Sequence, residues 1–200
     1  MRRLSILFLA AVLSLSTSTY AQSARQVLDK TAAAVSAKSG AQASFTTTGE
    51  LLNTSGTIAI KGKKFRLIST VGKSWFDGKT QWTYMKKNDE VYVSTPTEEE
   101  QAANNPYRFI NLYKDGYTYT MTKKGGNYEV HLKAQSKTQA ISEMYIVVNQ
   151  KTYIPLQIRG KGTGWWKIDL KDFKKANLSD NLFRFNPKDC PTAEIIDIRK

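Results

Sequence analysis

Apolar and polar residues alternate in short runs from about residue 44 onward, and turn-forming residues separate the runs. Period-two alternation bounded by Gly, Asn, Asp and Lys marks half-buried strands. It predicts strands over 44–48, 57–60, 65–68, 73–76, 79–85 and 91–93, then over 117–121, 128–133, 141–148, 153–159 and 165–170. Asp77-Gly78 between two such runs is the signal of a two-residue hairpin. In the run that follows, Trp82 and Tyr84 share one face and Gln81 and Thr83 the other. Ahead of the strands, residues 23–39 read as a helix. Val27, Leu28, Thr31, Ala32 and Val35 recur at helical spacing, Ser23 is placed to cap the start, and Gly40 ends the segment.

The alternation breaks between residues 95 and 116. Thr97 and Glu100 have the spacing of a capping box. Asn105-Pro106 puts a cap before a helix-opening proline, Phe109, Ile110, Leu112 and Tyr113 form an apolar face, and Gly116 stops it. Two short helical pieces are therefore expected inside a β protein. After the last long strand, a polar stretch over 171–181 leads to Phe183-Arg184-Phe185-Asn186-Pro187 and a tail with Ile195, Ile196 and Ile198.

Ten or eleven strands joined by tight turns make an antiparallel meander with one buried and one wet face. The fold class is mainly β (α+β): a single curved antiparallel sheet, with an N-terminal helix and short central helices over its concave face. So few helical residues do not fill the concavity of a strongly curved sheet, and an apolar hollow is the consequence. Such hollows stay dry and accept apolar ligands. Alternation phase places Ile58, Ile60, Trp82 and Tyr84 on the sheet side of that hollow, with the aromatics Phe45 and Phe65 beside them. Phe109, Ile110 and Leu112 belong to a movable cover.

The N-terminus changes the compartment. Arg2 and Arg3 precede an apolar run over 4–15, and Thr19-Tyr20-Ala21 offers small residues for cleavage after Ala21. This is a secretory leader over 1–21, followed by one domain over 22–200, exported to the periplasm. The apolar run is too short to span a bilayer, which needs about 20 residues. Lys and Arg number 30 against 17 Asp and Glu, and without Arg2 and Arg3 the net charge is +11. Export argues against nucleic acid as the partner; an acidic protein or anionic headgroups fit that charge. Cys190 is the single cysteine, so no intramolecular disulfide supports the fold. A monomer is expected.

Catalytic motifs are absent from the pattern. His131 is the one histidine, on the polar phase of its strand between Val130 and Leu132. One histidine does not make a zinc cluster, and no nucleophile elbow accompanies it. Gly160-Lys161-Gly162-Thr163-Gly164 lacks phosphate-loop spacing and runs into a strand. Cys190 has no basic neighbour in sequence to activate it. No catalytic residue, metal site or cofactor is expected.

The order of elements resembles the LolA-like outer-membrane lipoprotein carriers. The residues that carry the resemblance are Ala43-Ser44-Phe45-Thr46, Gly56-Thr57-Ile58-Ala59-Ile60-Lys61, the hairpin Asp77-Gly78-Lys79-Thr80-Gln81-Trp82-Thr83-Tyr84, and Phe183-Arg184-Phe185-Asn186-Pro187. The hairpin is the sharpest match. The resemblance implies an incomplete β-barrel whose cavity holds the acyl chains of lipoproteins. It also implies a donor, an inner-membrane ABC transporter, and an outer-membrane acceptor, with no cofactor. Where such carriers have Arg-Pro after the lysine of the second strand, this chain has Gly62-Lys63, which leaves Lys63 and Arg66 as the candidates for closing the lid. A lipid-sensing regulator of the envelope with the same half-barrel, and a small secreted hydrolase, are the alternative functions.

Overall fold

The computed structural model describes residues 23–36, 38–50, 53–97, 100 and 112–199. The leader, Asn105-Pro106, Phe109 and Ile110 lie outside the described residues. Helix α1 (Ala24–Val35) starts as expected: Ser23 Oγ accepts from the Gln26 N–H at 3.2 Å, and the Gln26 side chain accepts from the Ser23 N–H at 3.0 Å. It ends four residues earlier than the pattern suggested. Ser36 bonds back to the Ala32 carbonyl through both its N–H and its hydroxyl, which stops the helix there. The capping box at Thr97 is also present, with Glu100 N–H donating to Thr97 Oγ1 at 3.2 Å and Thr97 N–H to Glu100 Oε2 at 2.8 Å.

Twelve strands form one sheet among the described residues. They are β1 (Ala41–Gly49), β2 (Thr54–Lys61), β3 (Lys64–Ser69), β4 (Gly72–Phe76), β5 (Gln81–Met85), β6 (Glu90–Ser94), β7 (Tyr117–Lys124), β8 (Asn127–Ala134), β9 (Glu143–Asn149), β10 (Pro155–Lys161), β11 (Trp165–Lys175) and β12 (Glu194–Asp197). The order across the sheet is β12-β6-β5-β4-β3-β2-β1-β11-β10-β9-β8-β7. The sheet is curved and does not close: β12 and β7 are its two ends. β1 sits near the middle, between β2 and β11, so the first and last long strands pair with each other. Every pairing is antiparallel except β12 with β6, where the tail runs parallel to the edge strand.

The inner face carries α1. The first turns of the helix bury Val27 and Leu28 against Val130, Leu132, Met144 and Ile146 of β8 and β9. Its last turn buries Val35 against Ile60, Phe65 and Phe76 of β2, β3 and β4. One helix therefore bridges the two halves of the sheet across its concave side. The outer face differs between the halves. Over β8 to β11 it is polar and wet, as alternation requires. Over β4 to β6 it is covered by the C-terminal segment: Cys190, Phe185 and Ala193 pack on Trp75, Val91, Trp82 and Tyr84, and Trp75 meets Phe185 edge-on with ring centroids 5.3 Å apart.

The Asp77-Gly78 hairpin connects β4 to β5 with a loop of four residues, two more than the dipeptide signals. Asp77 Oδ1 accepts from the N–H groups of Lys79 and Thr80 at 3.0 and 2.9 Å, and Gly78 has φ +101°. The carboxylate organises the turn as an Asx cap, so a tighter primed turn is unnecessary.

The polar stretch after residue 170 is strand as far as Lys175, longer than the pattern predicted. Asp172, with φ +53°, is the extra residue of a bulge opposite β1. The bulge resets the alternation, which lets Leu170 and Phe173 face the same side. A register shift between Pro155 and Gln157 does the same for Pro155 and Ile158 on β10.

Candidate ligand-binding site

Between the two inner clusters lies a hollow of about 260 Å³, near the low end of the roughly 300–1,000 Å³ of small-molecule pockets. Strands β1, β2 and β3 supply one wall, through Phe45, Ile58, Ile60 and Leu67. Strands β10 and β11 supply the other, through Ile158, Ile168, Leu170 and Phe173. Register explains the convergence: Phe45 is the partner of Leu170, Ala43 of Ile58, and Ile58 of Leu67. These residues are neighbours on one pleated face. None of the lining side chains is charged.

The hollow has two unlike ends. At the α1 end, Val35, Ile60 and Phe173 close it. Behind Ile60, the fully buried rings of Phe65 and Phe76 sit with centroids 5.7 Å apart and seal that end. At the other end stand Thr47, Thr54, Ser69 and the half-exposed Val71. Thr54 and Thr70 share a hydrogen bond of 2.9 Å, and Ser69 Oγ donates to the Gly72 carbonyl at 3.0 Å. Ala41 and Thr47, at opposite ends, are six residues apart on one strand, or roughly 20 Å. One leaflet of a bilayer core is roughly 15 Å deep. The hollow is thus elongated, at least as long as one leaflet of a bilayer core is deep.

Phe45, Ile58 and Ile60 are on the wall of the hollow. Phe65 is beside the hollow, behind Ile60. Trp82 and Tyr84 are not in it. They share a face as alternation requires, but that face is the outer one, under the C-terminal segment. Gln81 and Thr83 take the inner side of β5 instead, because the C-terminal segment supplies the apolar cover on the outer side. Leu112 packs on the cluster around Val130 and Ile146 and is not among the residues that line the hollow. Beside it Tyr113 is buried and donates to Asp29 Oδ1 on α1 at 2.5 Å. Burial and this carboxylate hold the tyrosine hydroxyl protonated, far above its ordinary range. Val35, Leu67, Ile158, Ile168, Leu170 and Phe173 complete the wall. The signal for most of them is β-sheet alternation, masked at Phe173 by the bulge that precedes it.

Neither lid-closing candidate faces the hollow. Arg66 is on the outer face, opposite Phe65 and Leu67 in phase, and Lys63 is exposed in the β2–β3 turn. The neighbouring Lys61 and Lys64 both bond Asp180 of the C-terminal segment, at 2.9 Å each. Those two ammonium groups bring the Asp180 carboxyl down to about 2.

The remaining reactive side chains are held in structural contacts. His131 stacks on Tyr145 with ring centroids 4.3 Å apart, its Nε2 lies 2.8 Å from Glu143 Oε1, and Arg159 covers Tyr145 at 4.7 Å. The Tyr145 hydroxyl, and then His131, hold the Glu143 carboxyl below its ordinary range. Cys190 has a cation at hand that its sequence neighbours do not provide: Lys73 Nζ lies 3.8 Å from Sγ. Burial outweighs that charge and pushes the thiol up. Among the described residues no group of three or more His, Cys, Asp or Glu is placed to hold a metal, and no helix is long and apolar enough to cross a membrane.

Solved structures are similar to this chain to different degrees. An uncharacterized conserved protein from Thermus thermophilus superposes with a TM-score of 0.59 at 16% identity, over 90% of this chain and 100% of that one. A LolA superfamily protein from Nitrosomonas europaea gives 0.43 at 12%, over 82% and 99%. A chain of the Pseudomonas aeruginosa MucA/MucB complex gives 0.43 at 14%, over 80% of this chain and 60% of that one. The curated proteins contain no match to the sequence. Residues 15–163 match the family described as outer membrane lipoprotein carrier protein LolA. With three quarters of its length matched and an open half-barrel around an uncharged hollow, the chain belongs to the LolA family of outer-membrane lipoprotein carriers.

Proposed function

We propose that this protein carries lipoprotein acyl chains through the periplasm, from a donor in the inner membrane to an acceptor at the outer membrane, by shielding one chain in the hollow between β1–β3 and β10–β11. The observation that supports the reading is the hollow itself. It is elongated, uncharged, and open at one end near Val71. Dry apolar cavities favour apolar ligands over water. Family membership supports the same cargo class.

Energetics limit how such a carrier works. Each methylene removed from water contributes about 0.8 kcal/mol. A hollow that swallowed a whole chain would bind too tightly to release it. A site open at Val71 leaves part of the cargo outside, where the acceptor can reach it. The three hydroxyl residues at that end suit the ester region of the lipid, with the chain running toward Val35. The work is binding and handover with no bond made or broken, and the leader read over residues 1–21 supports a periplasmic location for it.

Mass spectrometry of protein purified gently from the periplasm tests this reading. Co-purified lipoprotein or acylated lipid is the expected result. Protein recovered without any lipid, from cells that make lipoproteins normally, would count against it.

A further inference from the structure

The outer face carries a second depression, over β1, β2 and β3, of about 220 Å³. Ser44, Thr57 and Ala59 form its floor, Arg66 and Lys174 stand over them, and Leu182 of the C-terminal segment closes one side. Register builds it. Lys174 is the partner of Gln42, Gln42 of Ala59, and Ala59 of Arg66. Three strand spacings of about 4.8 Å separate the two cations at the backbone. Long side chains therefore flank short ones, and a concavity is left between them.

Arg66 gives the depression its chemistry. It is half-buried, and it makes no hydrogen bond or ion pair with any described residue. Its Nε is closed off from solvent and has no partner. Several other cations of this face have a carboxylate partner: Lys61 and Lys64 pair with Asp180, Lys167 with Asp169, and Arg159 with Glu129 through its terminal nitrogen, although its Nε is, like that of Arg66, closed off without a partner. Asp172, the one carboxylate at the rim, forms an ion pair with neither Arg66 nor Lys174. A guanidinium presents N–H donors in a planar fork that fits carboxylate and phosphate oxygens. A buried donor without a partner costs free energy that an incoming acceptor recovers.

We infer that this outer pocket is an oxyanion site, in which Arg66 holds a carboxylate or phosphate, Lys174 supplies a second positive charge, and the hydroxyls of Ser44 and Thr57 donate from the floor. The site is on the opposite side of the strands that line the hollow. Ser44 and Thr57 point outward where Phe45 and Ile58 point inward. Occupancy of the two can therefore be measured separately.

The test is an NMR titration of the full mature chain with inorganic phosphate and, separately, with acetate. The signals to follow are the Arg66 Nε–H and the backbone amides of Thr57 and Ala59. Saturable shifts at these positions are expected. Saturation by phosphate at lower concentration than acetate identifies a phosphate site, and the reverse order a carboxylate site. In Arg66→Gln the affinity read from the amides should fall about tenfold or more, since a charge-assisted hydrogen bond is removed. Lys174→Gln should show a smaller loss. If Arg66→Gln does not fold, Arg66→Lys keeps the charge without the fork and is expected to bind several-fold more weakly. Shifts that grow linearly with both anions in the wild type, or saturation unchanged by the Arg66 substitution, would overturn the inference.

Discussion

The indole of Trp166 lies against Gly160, its register partner on the adjacent strand: a β-carbon built on Gly160 would come within 2.2 Å of Trp166 Cζ2. The glycine is the space the indole occupies, and it lets Trp166 lie flat on the inner face beside the cluster around Met144 and Ile146. Gly160→Val should therefore lower stability by about 1–3 kcal/mol, as overpacking does. It should also turn the indole toward solvent. Urea denaturation and the tryptophan emission maximum check both effects. A variant with unchanged stability and unchanged emission would show that the two residues are not stacked.

A second prediction concerns how α1 is held across the sheet. Tyr113 is buried and donates to Asp29 on the exposed side of the helix. Tyr113→Phe removes one hydrogen bond to a charged acceptor that water can still reach. The expected loss is about 1 kcal/mol. Faster amide exchange in α1, with little change in β8 and β9, is the accompanying sign. In the wild type this tyrosine should ionise well above the ordinary tyrosine range in an alkaline spectrophotometric titration, because burial and then Asp29 raise it.

The link between the β2–β3 hairpin and the C-terminal segment has a pH signature. Asp180 titrates at about 2 when folded, against about 3.9 for a free aspartate. A carboxyl depressed by folding stabilises the native state above its unfolded value, and the contribution disappears as pH falls through the folded one. The margin of the wild type over Asp180→Asn should thus be present near neutrality and vanish by about pH 2. Because Asp180 is exposed, added salt should shrink the margin as well. Urea midpoints of both proteins across that pH range measure it. A margin that persists at the acid end would mean the ion pairs are not its source.

Alternation alone located most strands, and with them Phe45, Ile58 and Ile60 on one face. It did not say which side of a strand is concave. At β5 the larger side chains, Trp82 and Tyr84, face outward because the tail supplies a second apolar cover there. Phe185, Cys190 and Ala193 in the tail are the sequence trace of that cover. The bulge at Asp172 was illegible for a different reason. A residue with φ +53° adds one position to the count and inverts the phase after it, so Phe173 reads as outward by parity although it lines the hollow. Parallel pairing of β12 left no trace, since it depends on where a long tail happens to return.

If an acyl chain lies along the inner face between β1–β3 and β10–β11, a brominated fatty acid should quench the tryptophan nearest to it. Of the four tryptophans, Trp75, Trp82 and Trp165 are on the outer face, and Trp166 alone is on the inner one, two residues along β11 from the hollow-lining Ile168. Delipidated wild type should show saturable quenching. Trp166→Phe should lose most of it, and Leu67→Lys, which places a charge at the wall but lets it reach solvent, should abolish binding while the fold is kept. Absence of quenching in the wild type, or equal quenching in Trp166→Phe, would mean that no acyl chain lies there.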